Sequence, residues 1–278
     1  MKPWLKAVLI TAGAVAAAAA AVAVLTAPGA ADEEKKSTIY GRNVAHRGLH
    51  DRSGMRPENS LSAFRAAAKA GYGAEMDARL TADDVPVILH DENTLRMCGE
   101  DKEVAETSFA ELRELRLGET DEQIPTLDEA LEAVDGSGPV ILELKSAGEK
   151  NDILCEKALE AIREYDGAIC VESFDPRIVA WFRKNAPDIL RGQLTNSFKE
   201  LRDESTPLLT AFALSNGLTN VMARPHFIAH GSGKKSPLLR VSELLGAMPV
   251  YWTSHSASKQ KENDAVIFEY YRPLAQYK

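Results

Sequence analysis

The sequence has three cysteines, Cys98, Cys155 and Cys170, and they fit neither a paired disulfide framework nor a CxxC metal spacing. They read as core or surface thiols. Positive charge is also in short supply. Lys and Arg number 33 against 41 Asp and Glu, a formal charge of -8 with a pI near 5.4. That balance excludes a general nucleic-acid binder, which normally carries a basic patch. A small anionic substrate stays open, because a few local cations or a metal outweigh the overall charge. The chain has no repeat and no internal low-complexity segment, so its body reads as one domain. At 45% hydrophobic and 27% charged residues it has the composition of an ordinary globular protein with a sizeable core.

One long hydrophobic run is present, at the start. After Lys2 and Lys6 the chain is uncharged from Ala7 to Ala31 and then meets Asp32, Glu33 and Glu34. An apolar run of about 20 residues can span a bilayer as a helix. Residues 1–31 are therefore expected to be a signal-anchor or signal peptide. The basic side stays inside, which puts the C-terminal body outside the cytoplasm. The length of the run favours an uncleaved membrane anchor. Cleavage at the small residues Gly29-Ala30-Ala31 would instead give a secreted form. Residues 32–38 read as a charged linker, and the globular body occupies 39–278.

From Tyr40 onward, short apolar runs alternate with stretches of helical period, the pattern of repeated βα units around a parallel sheet. Strands are expected at Asn43–His46, Ala74–Leu80, Val85–Leu89, Pro139–Lys145, Ala168–Ser173, Ile189–Leu194, Phe227–Ala229, Val250–Thr253 and Ala265–Glu269. Ser60 should cap a helix that runs to about Ala70 and stops at Gly71. Further helices are expected at Ser108–Leu115, Leu127–Val134, Asp152–Tyr165, Pro176–Asn185, Pro207–Ala213 and Val241–Ala247. Strand candidates of this number in some 240 residues suit a (β/α)8 TIM barrel, whose usual size is about 250 residues. An open doubly wound sheet is the alternative.

Glu75 and Asp77 alternate with Ala74, Met76, Ala78 and Leu80, so the acidic side chains share one face of a strand and the apolar ones the other. Glu143 and Lys145 repeat the pattern among Val140, Leu142 and Leu144. Charges pointing into a barrel are costly unless paired or bound to a cation, and near the C-terminal strand ends they usually belong to an active site. Three carboxylates of this kind suit Mg²⁺ or Ca²⁺, because hard cations prefer oxygen ligands. Solvated edge charges or buried ion pairs would give the same alternation. His46 closes the first strand and His90 the third apolar run, where two imidazoles could flank a reacting group as base and acid. Arg47 offers a planar fork for a phosphate.

Several motifs together carry a resemblance. AHRG at 45–48, RPENSLSAF at 56–64, AEMDARLTADDVPVILHDENTLR at 74–96, IPTLDEAL at 124–131 and ILELKS at 141–146 resemble, in the same order, the motifs of the glycerophosphodiester phosphodiesterase family. VYWT at 250–253 is a fainter echo. The resemblance implies a TIM barrel that hydrolyses small glycerophosphodiesters to glycerol 3-phosphate and an alcohol with a divalent metal. It gives His46 and His90 the acid/base roles and makes Glu75, Asp77 and Glu143 the metal ligands. Arg47 becomes a phosphate contact, Lys145 a substrate or metal-shell contact and Glu58 a further site residue. Trp252 would either line the pocket against the glycerol carbons or sit in the core. A related enzyme acting on lysophospholipid or a glycerol-phosphate wall polymer is the nearest alternative. A catalytically idle surface binding module is another, and the intact set of two histidines and three carboxylates argues against it.

The chain departs from the family pattern near its C-terminal end. Phe268-Glu269-Tyr270-Tyr271-Arg272-Pro273 stands where the family commonly has a threonine-aspartate pair before Arg-Pro, and residues 206–230 match little of it. Gly231-Ser232-Gly233-Lys234-Lys235 lacks the first glycine and the hydroxyl residue of a phosphate-binding loop and reads as an exposed basic loop. His50, His226, His230 and His255 lack ligand spacing and read as surface or structural residues. The charge clusters at 101–106 and 119–122 read as solvated loops.

Overall fold

In the computed structural model, which describes residues 3–204 and 206–278, the elements follow from their local signals. After α1 (Pro3–Thr26) and α2 (Glu33–Ser37) come β1 (Arg42–Ala45), α3 (Leu61–Lys69), β2 (Gly73–Leu80) and β3 (Pro86–Ile88). Next are α4 (Leu95–Cys98), α5 (Phe109–Leu112), α6 (Leu127–Val134), β4 (Val140–Leu144), α7 (Asn151–Glu164), β5 (Ile169–Ser173) and α8 (Pro176–Asn185). β6 (Leu190–Thr195), α9 (Phe198–Asp203), α10 (Leu208–Ser215), α11 (Asn220–Ala223), β7 (Phe227–His230), α12 (Pro237–Leu244), β8 (Met248–Ser254) and β9 (Ala265–Phe268) complete the chain. Ser60 caps α3 by accepting from the Ala63 N–H, and Gly71 follows the helix at φ 76°, in the left-handed region that glycine enters without steric cost. Thr126 and Glu129 form a reciprocal capping box that starts α6.

The strands pair in the order β1-β9-β8-β7-β6-β5-β4-β2, and β1 also pairs with β2, which closes the sheet on itself. All eight of these strands run parallel, so the architecture is a (β/α)8 TIM barrel and the open doubly wound alternative is excluded. Strand alternation splits the core into two shells. Val44, Ile141, Leu190, Leu194, Phe227, Val250 and Ile267 pack inside the barrel. Met76, Leu142, Leu144 and Val171 pack outward with Phe64, Leu131, Leu154 and Phe182 of the helices. A Cβ on Gly192 would lie 2.0 Å from the Phe227 ring, so this glycine makes room for the largest inner side chain.

Several expectations need adjustment. The run Val85–Leu89 gives β3, which pairs antiparallel with β2 and stands outside the barrel as one arm of a hairpin. Ser108–Leu115 shortens to a single turn, Phe109–Leu112, and Val241–Ala247 begins earlier because Ser236 caps and Pro237 opens α12. The linker 32–38 contains the short helix α2, capped by Asp32. Between β8 and β9 only one 3₁₀ turn, Ala257–Lys259, replaces the usual helix.

Among the described residues no helix is long and apolar enough to cross a membrane, so the expected membrane anchor finds no spanning helix. Lys2, the first basic residue of its flank, lies outside the described residues. The C-terminal end of α1 is tied to the barrel instead. Arg224 donates to the Val24 and Ala27 carbonyls, and buried Asn220 donates to that of Thr26.

Candidate active site

The strand ends bring the expected residues to one end of the barrel. His46 directly follows β1, and Arg47 comes next in the left-handed region at φ 52°. That conformation costs roughly 1–2 kcal/mol for a residue with a Cβ. It aims the Arg47 N–H at Glu75 Oε2, 2.8 Å away, while the side chain meets Glu58 Oε1 at 2.7 Å and stands 3.4 Å from Asp77 Oδ2. Residues 57–60 supply the support. Glu58 holds both Arg47 and Arg96, Asn59 donates to Asp77 Oδ2 at 2.8 Å, and Ser60 starts α3. Burial pushes the Glu58 carboxyl up, and the two guanidiniums outweigh it and hold the group charged.

Glu75, Asp77 and Glu143 are buried, and one ligand oxygen from each lies within 4.8 Å of the others. β2 and β4 put them there, since Asp77 and Glu143 are register partners on adjacent parallel strands. Lys145 Nζ sits against two of them, 2.9 Å from Asp77 and 2.7 Å from Glu143. The charges are out of balance around this one lysine. Burial, with Asp77 and Glu143 beside it, drives the Glu75 carboxyl well above its usual range, and burial raises Glu143 to about 7 against the pull of Lys145. Asp77, which burial alone would raise, is held well below by Lys145 and Arg47. Buried carboxylates this close cannot all ionise without another positive charge. An all-oxygen set with excess negative charge fits a hard divalent cation.

The two histidines face this cluster, each with Nδ1 turned to a carboxylate. His46 Nδ1 is 3.3 Å from Glu269 Oε1, and its Nε2 lies 4.0 Å from Glu75 Oε2. His90 Nδ1 is 2.7 Å from Asp91 Oδ1, and the His90 carbonyl accepts two bonds from Arg79. Burial lowers both imidazoles, His90 to about 4, and the Glu269 bond partly offsets it at His46. Both rings are therefore neutral near pH 7 when the site holds no ligand.

A cavity of about 390 Å³ joins these parts. His46, Arg47, Glu75, His90, Glu143, Lys145 and Trp252 line it, whereas Asp77 and Glu58 stand behind the lining. Trp252 is partly buried, so it is a wall residue that also packs on the inner core, edge to face with Phe174 at 5.7 Å. Four further residues at the site were not picked out from sequence. Asn59 lies inside the PENS motif between Glu58 and Ser60, and an uncharged amide there carries no pattern of its own. Glu172 pairs in register with Glu143, and its Oε2 has no hydrogen-bond partner. Its place on the inward face with Cys170, alternating with outward Val171, was the available signal. Glu204 lines the cavity from the loop after α9 and carries no strand pattern. Glu269 was noted only as a departure from the family motif.

Comparison with known proteins identifies the family. Residues 46–266 match the model of the glycerophosphoryl diester phosphodiesterase family. The chain is 31% identical over 159 residues to glycerophosphodiester phosphodiesterase 1 of Homo sapiens, covering 53% of this chain and 46% of that protein. It is 28% identical over 152 residues to a lysophospholipase D of the same species, covering 50% and 46%. It thus spans about half the length of the curated relatives it matches. Among solved structures, an Oleispira antarctica phosphodiesterase in complex with the product sn-glycerol-3-phosphate has a TM-score of 0.66 at 24% identity, covering 84% of this chain and 94% of that one. That likeness carries the fold.

Proposed function

Because the chain belongs to the glycerophosphoryl diester phosphodiesterase family, we propose that it hydrolyses glycerophosphodiesters to sn-glycerol 3-phosphate and an alcohol. The observation that carries this reading is the meeting of two neutral imidazoles with three buried carboxylates and two cations around one cavity. Glu75, Asp77 and Glu143 are the proposed ligands of a divalent metal, Mg²⁺ or Ca²⁺. Once bound, such an ion would act as a Lewis acid on the phosphoryl oxygens.

The chain's own groups do the rest. Arg47 and Lys145 offset the charge on the phosphate, and Arg47 is already oriented by Glu58. Nδ1 of each histidine is occupied by a carboxylate, so Nε2 is the atom free to move protons. One Nε2 takes the proton from the attacking oxygen as its bond to phosphorus forms. The bond from phosphorus to the alcohol oxygen breaks, and the second imidazole, protonated in the presence of the anionic substrate, gives its proton to that oxygen. Phe174 and Trp252 present apolar edges to the carbon skeleton. The test is to incubate residues 38–278 with glycerophosphodiesters, with and without Mg²⁺ or Ca²⁺, and assay glycerol 3-phosphate. Metal-dependent release is expected, and no product from any diester would sink the reading.

One observation favours lysophospholipid as a further substrate. Close after Glu204 in the cavity wall, α10 exposes Leu208, Leu209 and Phe212 by 59%, 81% and 52%, an apolar surface suited to an acyl chain. Equal turnover of lysophosphatidylcholine and glycerophosphocholine would support it, and activity on the water-soluble diester alone would remove it. The uncharged run behind Lys2 and Lys6 supports placing the enzyme outside the cytoplasm, with the segment before Asp32 as an anchor or export signal. Recovery of the Met1 end in a membrane fraction tests the anchor, and a mature chain starting near Asp32 would replace it with a cleaved signal.

A further inference from the structure

We propose that Glu269 and His50 are positioning residues for His46, fixing the tautomer and orientation of its ring so that Nε2 faces the reacting atoms. This builds on the reading of His46 as a proton carrier. Glu269 follows β9, and its Oε1 lies 3.3 Å from His46 Nδ1 and 3.1 Å from His50 Nε2. An ionised carboxylate only accepts, so both rings donate to it. The shared oxygen therefore puts the His46 proton on Nδ1 and leaves the lone pair on Nε2. Burial pushes the Glu269 carboxyl up, yet its bonds to the two imidazoles prevail and keep it ionised.

The corner is built to hold Glu269 still. Its N–H donates to the Ser254 carbonyl at 2.9 Å. Tyr270, directly after it, takes φ 59°, a left-handed conformation unfavourable for a bulky residue, and its ring meets three neighbours. His50 meets that ring edge-on at 5.1 Å, His255 stacks on it at 6.2 Å, and the Arg52 guanidinium lies 4.4 Å from its centroid. His50 is nearly enclosed, with a side-chain exposure of 5%, and among the described residues its ring hydrogen-bonds to Glu269 alone. Without this corner a neutral imidazole is free to turn over or to carry its proton on Nε2, and either change withdraws the lone pair from the cavity.

Nitrogen-15 NMR of the full chain, together with steady-state kinetics, tests the proposal. In the wild type, His46 should be the Nδ1–H tautomer. Glu269→Ala should mix the tautomers and lower kcat on the order of 10- to 100-fold, with KM and Ca²⁺ affinity within about twofold of wild type. His50→Phe should give a smaller fall in kcat. His50→Gln should recover most of that loss, because its amide N–H can replace the Nε2–H. A wild-type His46 protonated on Nε2 would overturn the proposal even if Glu269→Ala failed to fold. So would a kcat unchanged in both Glu269→Ala and His50→Phe. Absence of turnover in the wild type would fall on the functional reading instead, and the tautomer measurement would then decide the proposal alone.

Discussion

His46 and His90 are held by the same device, a carboxylate on Nδ1, but the two carboxylates come from opposite ends of the range of sequence distance. Asp91 is the next residue after His90, and Arg96 locks it in place at 2.5 Å from the same stretch of chain. Glu269 reaches His46 across 223 positions, and it is there only because β9 pairs with β1. The His90 pair is thus a property of a local loop, and the His46 pair a property of the closed barrel. A substitution that loosens closure should disturb His46 first, whereas one that alters residues 90–96 should disturb His90 first, reaching Arg47 only through the Glu58 that Arg96 shares with it. Chemistry that needs both rings inherits the stability of the weaker support.

The most severe way to break this symmetry is to delete the rings. His46→Ala and His90→Ala should each lower kcat/KM by roughly 10²- to 10⁴-fold while keeping a cooperative melt, measured by glycerol 3-phosphate release and circular dichroism. Near-normal turnover in either would remove that residue from proton transfer. Glu143→Gln strikes what the two rings share. It should weaken Mg²⁺ or Ca²⁺ binding by at least about tenfold in calorimetric titration, and equal affinity would take Glu143 out of the ligand set.

Next in size is the local support. Asp91→Asn should reduce kcat by about 10-fold or more, and Arg96→Ala by less, since Arg96 is 46% exposed and water can replace it. The ranking is checked by assaying both variants against His90→Ala, and an Arg96→Ala loss as large as that of His90→Ala would contradict it. His226 is the control, a buried histidine that accepts from the Arg191 N–H and has no hydrogen-bonded carboxylate among the described residues. Burial first, and Arg191 second, lower it to about 3. Its unfolded value is about 6.5, so the unfolded chain binds the extra proton between those values. Its contribution to stability is therefore present above about pH 6.5 and is lost as pH falls towards 3. His226→Gln should shrink the drop in melting temperature between pH 7 and pH 4.5, and an unchanged drop would show that other groups set the acid limit.

The same contrast explains how much was legible in the sequence. The barrel could be read because its strands carry their own period, and Glu75, Asp77, Glu143 and Lys145 showed themselves as charges alternating with apolar residues. His90 and Asp91 stood side by side. The unit of information in each case was a few adjacent residues. The partner of His46 had no such signature, because nothing local in FEYYRP says which strand β9 will meet. His50 likewise looked like an unattached histidine until Glu269 arrived beside it. The hairpin strand β3 carries no mark of its direction, because an apolar run is the same whether its neighbour runs parallel or antiparallel. The missing helix after β8 follows from a stretch, residues 255–264, with too few apolar residues to form a buried face.

Closure of the barrel between its first and last strands also sets a clock on synthesis. Translation proceeds at about 5–20 residues per second, so the 223 positions between His46 and Glu269 take roughly 10–45 s to appear at that pace. Glu75, Asp77 and Glu143 are all made in the first half of this interval. A nascent chain can therefore assemble its carboxylates well before the His46 corner exists, and the last of the parts described here to arrive is the one that aims the imidazole.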